Sequence, residues 1–209
     1  MKRTLIVLLS VGLVTAQIPA LAAGIPKPKI VLEDPVEDAN FVNDQGTGDG
    51  TFGDFNDPGA DASSFADIVS FGFSNTKDDL YVFIGSQSNA APAAGEGFRV
   101  RANPAAGGVY CLNFEIYFMG AQNTLTATEA IFRDACAGTD AVPVKAEISA
   151  FGGWVITVPR KGVEALGKGK TLAGPQAQSF LYSGSSYPAG VAGPYLDTTK
   201  VGDDYKLKG

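Results

Sequence analysis

Two segments of this chain alternate between apolar and polar residues, and this alternation limits the fold more than any other feature. Phe98–Ala102 alternates apolar residues with two arginines, and Val109–Met119 continues the pattern over eleven residues. Successive side chains of a β-strand point to opposite faces, so both segments are predicted to be half-buried strands. In the longer one, the apolar set is Leu112, Phe114, Ile116 and Phe118, and the polar set is Cys111, Asn113, Glu115 and Tyr117.

Further apolar, β-branched or aromatic runs follow one another along the chain, separated by turns rich in Gly, Pro, Asn and Asp. In chain order they are Ile30–Leu32, Ile68–Phe73, Leu80–Ile84, Glu129–Arg133, Val144–Ala150, Trp154–Val158, Thr171-Leu172 and Ala177–Tyr182. The second and third, and the fifth and sixth, are close enough in sequence to form hairpins. Only Arg160–Leu166 has helical character. This pattern predicts an all-β fold, an antiparallel β-sandwich of the jelly-roll or immunoglobulin-like type with one short helix.

The first 23 residues have the features of a secretory signal peptide. Lys2 and Arg3 form a positive start, Leu5–Val14 is apolar, and Ala20-Leu21-Ala22 is typical of a cleavage site. The apolar run is too short to favour a permanent membrane span. We therefore expect residues 24–209 to form a single, secreted domain without a membrane anchor.

Charge and histidine content exclude several classes of function. Without Lys2 and Arg3, the chain has 14 basic and 22 acidic residues, which argues against nucleic acid as a partner. There is no histidine, which excludes Ser-His-Asp triads and histidine-ligated metal centres. A glycosidase needs only two carboxylates, so a glycan-active enzyme stays open, although a non-catalytic protein is the main expectation. The candidate carboxylates are Glu96, Glu115, Glu129 and Glu147.

Cys111 and Cys136 are the two cysteines of the chain. Disulfides form in exported proteins, so these residues are expected to pair and to tie the strand Glu129–Arg133 to the one before it.

The most unusual stretch is Glu33–Asp67, which contains ten carboxylates and no Lys or Arg. Five glycines exclude a regular helix or strand. So many like charges either stay solvated or surround a hard cation such as Ca²⁺, which binds carboxylate and carbonyl oxygens. The EF-hand pattern fails, because Asn43 occupies the position that requires glycine. Asp44 and Asp49 are candidate ligands on chemical grounds.

The spacing of motifs over residues 33–182 resembles DOMON-like sandwiches of the family 9 carbohydrate-binding type. The matching motifs are Asp34-Pro35-x-x-Asp38-x-Asn40, Ala66-Asp67-Ile68, Asp78-Asp79-Leu80-Tyr81-Val82 and Ile156-x-Val158-Pro159. The resemblance implies a β-sandwich with a structural calcium ion. It assigns that ion to Asp34, Asp38, Asn40 and Asp67.

Such sandwiches often bind sugars, and the polar residues of the two alternating segments are suited to this. Asn113, Glu115 and Tyr117 share one predicted strand face, and the face of Arg99 and Arg101 on the other segment could lie beside it. An ordinary solvated sheet face is the alternative interpretation. The sequence therefore favours a secreted, non-catalytic binding domain with a structural calcium ion and carbohydrate or cell-envelope glycan as its ligand. A cell-envelope structural or interaction protein without a small ligand is the second hypothesis, and a glycan-active enzyme the third.

Overall fold

A computed structural model describes residues 25–34, 67–86, 96–118, 128–149, 151, 153–183 and 191–209. The predicted signal peptide and most of the acidic stretch lie outside these residues. The strands are β1 (Lys29–Glu33), β2 (Ile68–Asn75), β3 (Asp79–Ser86), β4 (Glu96–Pro104), β5 (Tyr110–Phe118), β6 (Thr128–Asp134), β7 (Val142–Ile148), β8 (Trp154–Pro159), β9 (Thr171–Leu172), β10 (Gln176–Ser183), β11 (Val191–Thr198) and β12 (Tyr205–Lys206).

Ten of these strands form one antiparallel sheet, in the order β1-β2-β3-β8-β7-β6-β5-β4-β10-β11. The predicted all-β fold is confirmed, and so are the two predicted hairpins, β2–β3 and β7–β8. The helix expected at Arg160–Leu166 is reduced to a 3-10 turn, Glu164–Leu166. Gly162, with φ of +83°, interrupts the helical backbone just before this turn.

The sheet folds over between β6 and β7, so that its two halves enclose a single core. The rings of Phe118 in β5 and Trp154 in β8 meet across this core, with 4.9 Å between their centroids. The predicted inward residues of β4 and β5 are all buried in the core: Phe98, Val100, Leu112, Phe114, Ile116 and Phe118. We call the half made of β1, β2, β3, β8 and β7 the first layer, and the half made of β6, β5, β4, β10 and β11 the second layer.

The expected disulfide is present. Cys111 in β5 is bonded to Cys136, which lies in the turn after β6, and 25 positions separate the two residues. The bond links β5 to the turn that follows β6, the neighbouring strand in the sheet.

The small β9–β12 sheet closes one end of the core. Leu172, Tyr205 and Leu207 are all buried there. Arg160, which is 7% exposed, fixes this closure because its guanidinium donates to main-chain carbonyls from three separate parts of the chain. Its Nε donates to Leu166 O at 2.8 Å, and its Nη1 donates to Thr76 O and to Lys208 O.

No helix among the described residues has the length and apolar character needed to cross a membrane.

Candidate functional site

The face of the second layer that points away from the core carries the polar residues expected to bind a ligand. In the register between β4 and β5, Arg99 lies opposite Glu115, Arg101 opposite Asn113, and Gly97 opposite Tyr117. All five predicted residues therefore share one face. Strand β10 lies on the other side of β4 and adds Gln176 opposite Arg101 and Gln178 opposite Arg99.

Three of the predicted residues form a buried network around the Glu115 carboxylate. Arg99 donates from Nε to Glu115 Oε1 at 2.7 Å, and the Tyr117 hydroxyl donates to Glu115 Oε2. Glu115 and Tyr117 are 7% and 4% exposed. A buried ion pair of this kind holds side chains in place, because each partner would be costly to leave alone. Glu115 and Tyr117 thus hold the side chains of this face in place. Because both are buried, a ligand would contact the neighbouring residues.

A glycine allows two aromatic rings to meet beside this network. Phe180 of β10 lies across Gly97, where a Cβ atom would come within 2.6 Å of its ring. The ring of Tyr117 approaches Phe180 from the other side, with centroids 5.4 Å apart and planes near perpendicular. The guanidinium of Arg99 lies over Phe180 at 5.5 Å. Edge-to-face aromatic and cation–π contacts each stabilise these rings in addition to the effect of burial.

The accessible part of the face is a cluster of Arg101, Tyr110 and Gln176, all half-buried. The Arg101 guanidinium stacks on the Tyr110 ring at 4.2 Å and donates from Nε to Gln176 Oε1 at 3.1 Å. Gln176 Nε2 donates to Thr199 O at 2.7 Å, which fixes the orientation of the amide. Asn113 donates to Tyr110 O at 3.3 Å and borders the cluster. We call Arg101, Tyr110, Gln176 and Asn113 the polar cluster.

Gln178 is a neighbour of the polar cluster that the sequence did not single out. Its side chain is 3% exposed, and Nε2 donates to Thr198 Oγ1 at 3.2 Å. Its Oε1 atom has no hydrogen-bond partner. A buried acceptor without a donor is unfavourable by about 1–3 kcal/mol, so such atoms often mark places where a ligand or water binds.

Of the residues assigned to calcium, Asp34 and Asp67 lie in the described part of the chain. Asp34 follows β1 and donates its N–H to Val69 O at 2.9 Å, and Asp67 immediately precedes β2. Since β1 and β2 are antiparallel neighbours, the two aspartates stand at the two ends of the acidic segment, at one end of the sheet. Asp67 is 1% exposed.

The other assigned ligands, Asp38, Asn40, Asp44 and Asp49, lie outside the described residues. Within the described ranges, no group of three or more His, Cys, Asp or Glu side chains is arranged to hold a metal ion.

The carboxylates considered for glycan hydrolysis have different surroundings. Glu115 is bonded by Arg99 and Tyr117, Glu147 forms a 2.8 Å ion pair with Lys145 on the first layer, and Glu129 is exposed on β6. Comparison of the chain with models of protein families, with curated proteins and with solved structures found no match.

Proposed function

We propose that this protein is a secreted, non-catalytic carbohydrate-binding domain with a structural calcium ion at the base of its acidic segment. The observation that carries the proposal is the polar cluster, a half-exposed and internally bonded set of side chains on an otherwise stable sheet. Sites on rigid strands with supporting hydrogen bonds are suited to binding, because little order is lost when the ligand arrives. The motif resemblance to family 9 carbohydrate-binding sandwiches points to the same ligand class.

The chemistry of the polar cluster suits a sugar. Arg101 supplies several fixed N–H donors, Gln176 and Asn113 supply amide groups, and Tyr110 supplies an aromatic ring with a hydroxyl. A sugar offers hydroxyl groups that both donate and accept, together with an apolar ring face that packs on aromatic side chains. A hydroxyl that donates to Gln178 Oε1 would also satisfy this buried acceptor.

A glycan array, followed by calorimetry with the best oligosaccharide, tests this proposal. We expect Arg101→Ala and Gln176→Ala each to weaken binding by at least about tenfold, which corresponds to losing one charged or well-oriented hydrogen bond. Lys168→Ala is the control, because Lys168 is exposed, lies outside the strands that carry the polar cluster, and should bind like the parent. Absence of binding to every glycan would reject the carbohydrate ligand. Retention on isolated cell envelopes without competition by soluble glycans would instead favour the cell-envelope interaction protein.

The calcium ion would hold together the two chain ends that enter the acidic segment. Asp34 and Asp67 would contribute carboxylate oxygens from the two ends of the acidic segment. Asp38 and Asn40 are the further ligands that the resemblance assigns. Ca²⁺ takes oxygen ligands from acidic and amide side chains, and a carboxylate as buried as Asp67 gains from a cation beside it. The ion would stabilise the fold and take no part in sugar chemistry.

Thermal unfolding in Ca²⁺ and in chelator tests the ion separately from the sugar. When the Ca²⁺ concentration is a hundredfold above the dissociation constant, binding to the native state raises the free energy of unfolding by about 2.7 kcal/mol. For a domain of this size, that raises Tm by about 5–10 °C. Asp67→Asn should remove most of this rise, whereas Asp140→Asn, an exposed control, should retain it. An unchanged Tm across the titration would reject the calcium site.

A further inference from the structure

A cavity of about 260 Å³ opens on the outward face of the first layer, on the other side of the sandwich from the polar cluster. It lies where β1, β2 and β3 meet the turn between β7 and β8. Six of its ten lining residues have apolar side chains, two are glycines and two are serines. The lining residues are Pro28, Ile30, Val69, Ser70, Phe71, Phe83, Gly85, Ser86, Phe151 and Gly153.

Two glycines make the floor of this cavity. Gly153 has φ of +67°, and a Cβ atom there would collide with the carbonyl of Ile84, so the turn between β7 and β8 requires glycine. Gly85 lies under Ser70, whose Oγ would be 2.6 Å from a Cβ atom on Gly85. Gly153 therefore lets the turn lie directly against β3, and Gly85 leaves room for Ser70 Oγ, a polar atom at the floor of the cavity.

The walls of the cavity are aromatic and aliphatic. Phe83 and Phe151 meet edge to face with 6.1 Å between centroids, and Phe151 is 48% exposed. Ile30 of the edge strand β1 forms the facing wall and is 41% exposed. The chain that leads into this wall is fixed on the sheet, because Ser74 Oγ donates to Pro26 O at 2.9 Å and Ile25 packs on the cluster that contains Phe83.

We propose that this cavity binds a small aromatic molecule of one or two rings that carries a hydroxyl or N–H group. Size supports this class: an apolar cavity of about 150 Å³ holds benzene, and drug-sized ligands occupy about 300–1,000 Å³. The aromatic edge of the Phe83–Phe151 pair favours another ring, since ring pairs prefer offset or edge-to-face contacts. Ser70 Oγ accepts the hydrogen bond of the ring substituent. This site is independent of the proposed sugar site, which lies on the other layer.

The test is titration of the ¹⁵N-labelled full mature chain with indole and with phenol, followed by amide chemical shifts. We expect saturable shifts at Ser70, Gly85 and Gly153 and a weaker response to cyclohexanol, which has the hydroxyl without the aromatic ring. Gly85→Val puts a side chain on the floor of the cavity, and it requires Ser70 Oγ, 2.6 Å from the Cβ position, to rotate away. It should weaken indole binding by at least about tenfold.

Phe151→Ala is a second variant, because an exposed wall residue is dispensable for folding, and it should weaken indole binding about three- to tenfold. Val109→Ala is its matched control, since Val109 is 54% exposed in the turn before β5 and should leave binding unchanged. The proposal is overturned if indole and phenol cause no shifts at the cavity, if Gly85→Val and Phe151→Ala bind indole as the parent does, or if cyclohexanol binds equally well.

Discussion

Arg160 is predicted to hold the C-terminal strand in place, and Arg160→Met tests this directly. The side chain is 7% exposed, and its guanidinium bonds the carbonyl oxygens of Thr76, Leu166 and Lys208, which come from three separate parts of the chain. Methionine keeps most of the apolar stem and removes every donor. Hydrogen bonds from a charged group contribute about 1.5–3 kcal/mol each when lost, but removing the buried charge also removes its desolvation penalty. We therefore expect a net loss of about 2–4 kcal/mol in the free energy of unfolding.

Urea unfolding followed by the fluorescence of Trp154, the single tryptophan and 3% exposed, measures this loss. In thermal unfolding it corresponds to a fall in Tm of about 5–15 °C for a domain of this size. Lys161→Met is the matched control, because it removes a neighbouring positive charge that is exposed. In a chain that ends at Asp204, Arg160→Met should cost clearly less, since one acceptor is already gone. A parent-like stability of Arg160→Met, or full additivity with the truncation, would refute the role assigned to this arginine.

Three further predictions concern stability. Replacing Cys111 and Cys136 by serine should lower the free energy of unfolding by about 3–4 kcal/mol on the chain-entropy account, and equal urea midpoints for the parent and the variant would contradict this. Burial raises the pKa of Tyr205 above 10.0, with Arg160 opposing the shift, so the folded state holds this proton more tightly than the unfolded state. This contribution is present below pH 10 and is lost as pH rises through the folded pKa, so Tyr205→Phe should make the alkaline loss of stability in urea titrations shallower. Glu115→Gln should cost about 2 kcal/mol in urea unfolding because it leaves the Arg99 guanidinium, 16% exposed, without its carboxylate, and a variant that also carries Arg99→Met should recover part of it.

The local features of the fold were predictable from the sequence. The alternation in β4 and β5 identified the buried face of each strand, because a period of two assigns successive residues to opposite sides whatever the strand pairs with. The turn at Gly152-Gly153 identified the β7–β8 hairpin for a similar reason, since turn chemistry acts over a few residues. The helix prediction at Arg160–Leu166 was too long, because spacing of apolar residues alone does not account for the backbone conformation at Gly162.

The candidate site was predictable in part. The sequence placed the five polar residues of β4 and β5 on strand faces, and the register then brought them together. It did not show that Glu115 and Tyr117 are buried, since burial on an outward face depends on neighbours such as Phe180. Gln176 and Gln178 were missed because β10 is distant in sequence, with 75 positions between Gln176 and Arg101.

The sequence by itself thus determined the strand faces, the all-β class and the cysteine pair, all of which follow from local periodicity and composition. The tertiary structure decided which strands are neighbours, and with that the polar cluster, the glycine-floored cavity and the contacts of Arg160. These features join segments that are far apart along the chain. Their arrangement depends on how one sheet closes around one core, which no local pattern contains.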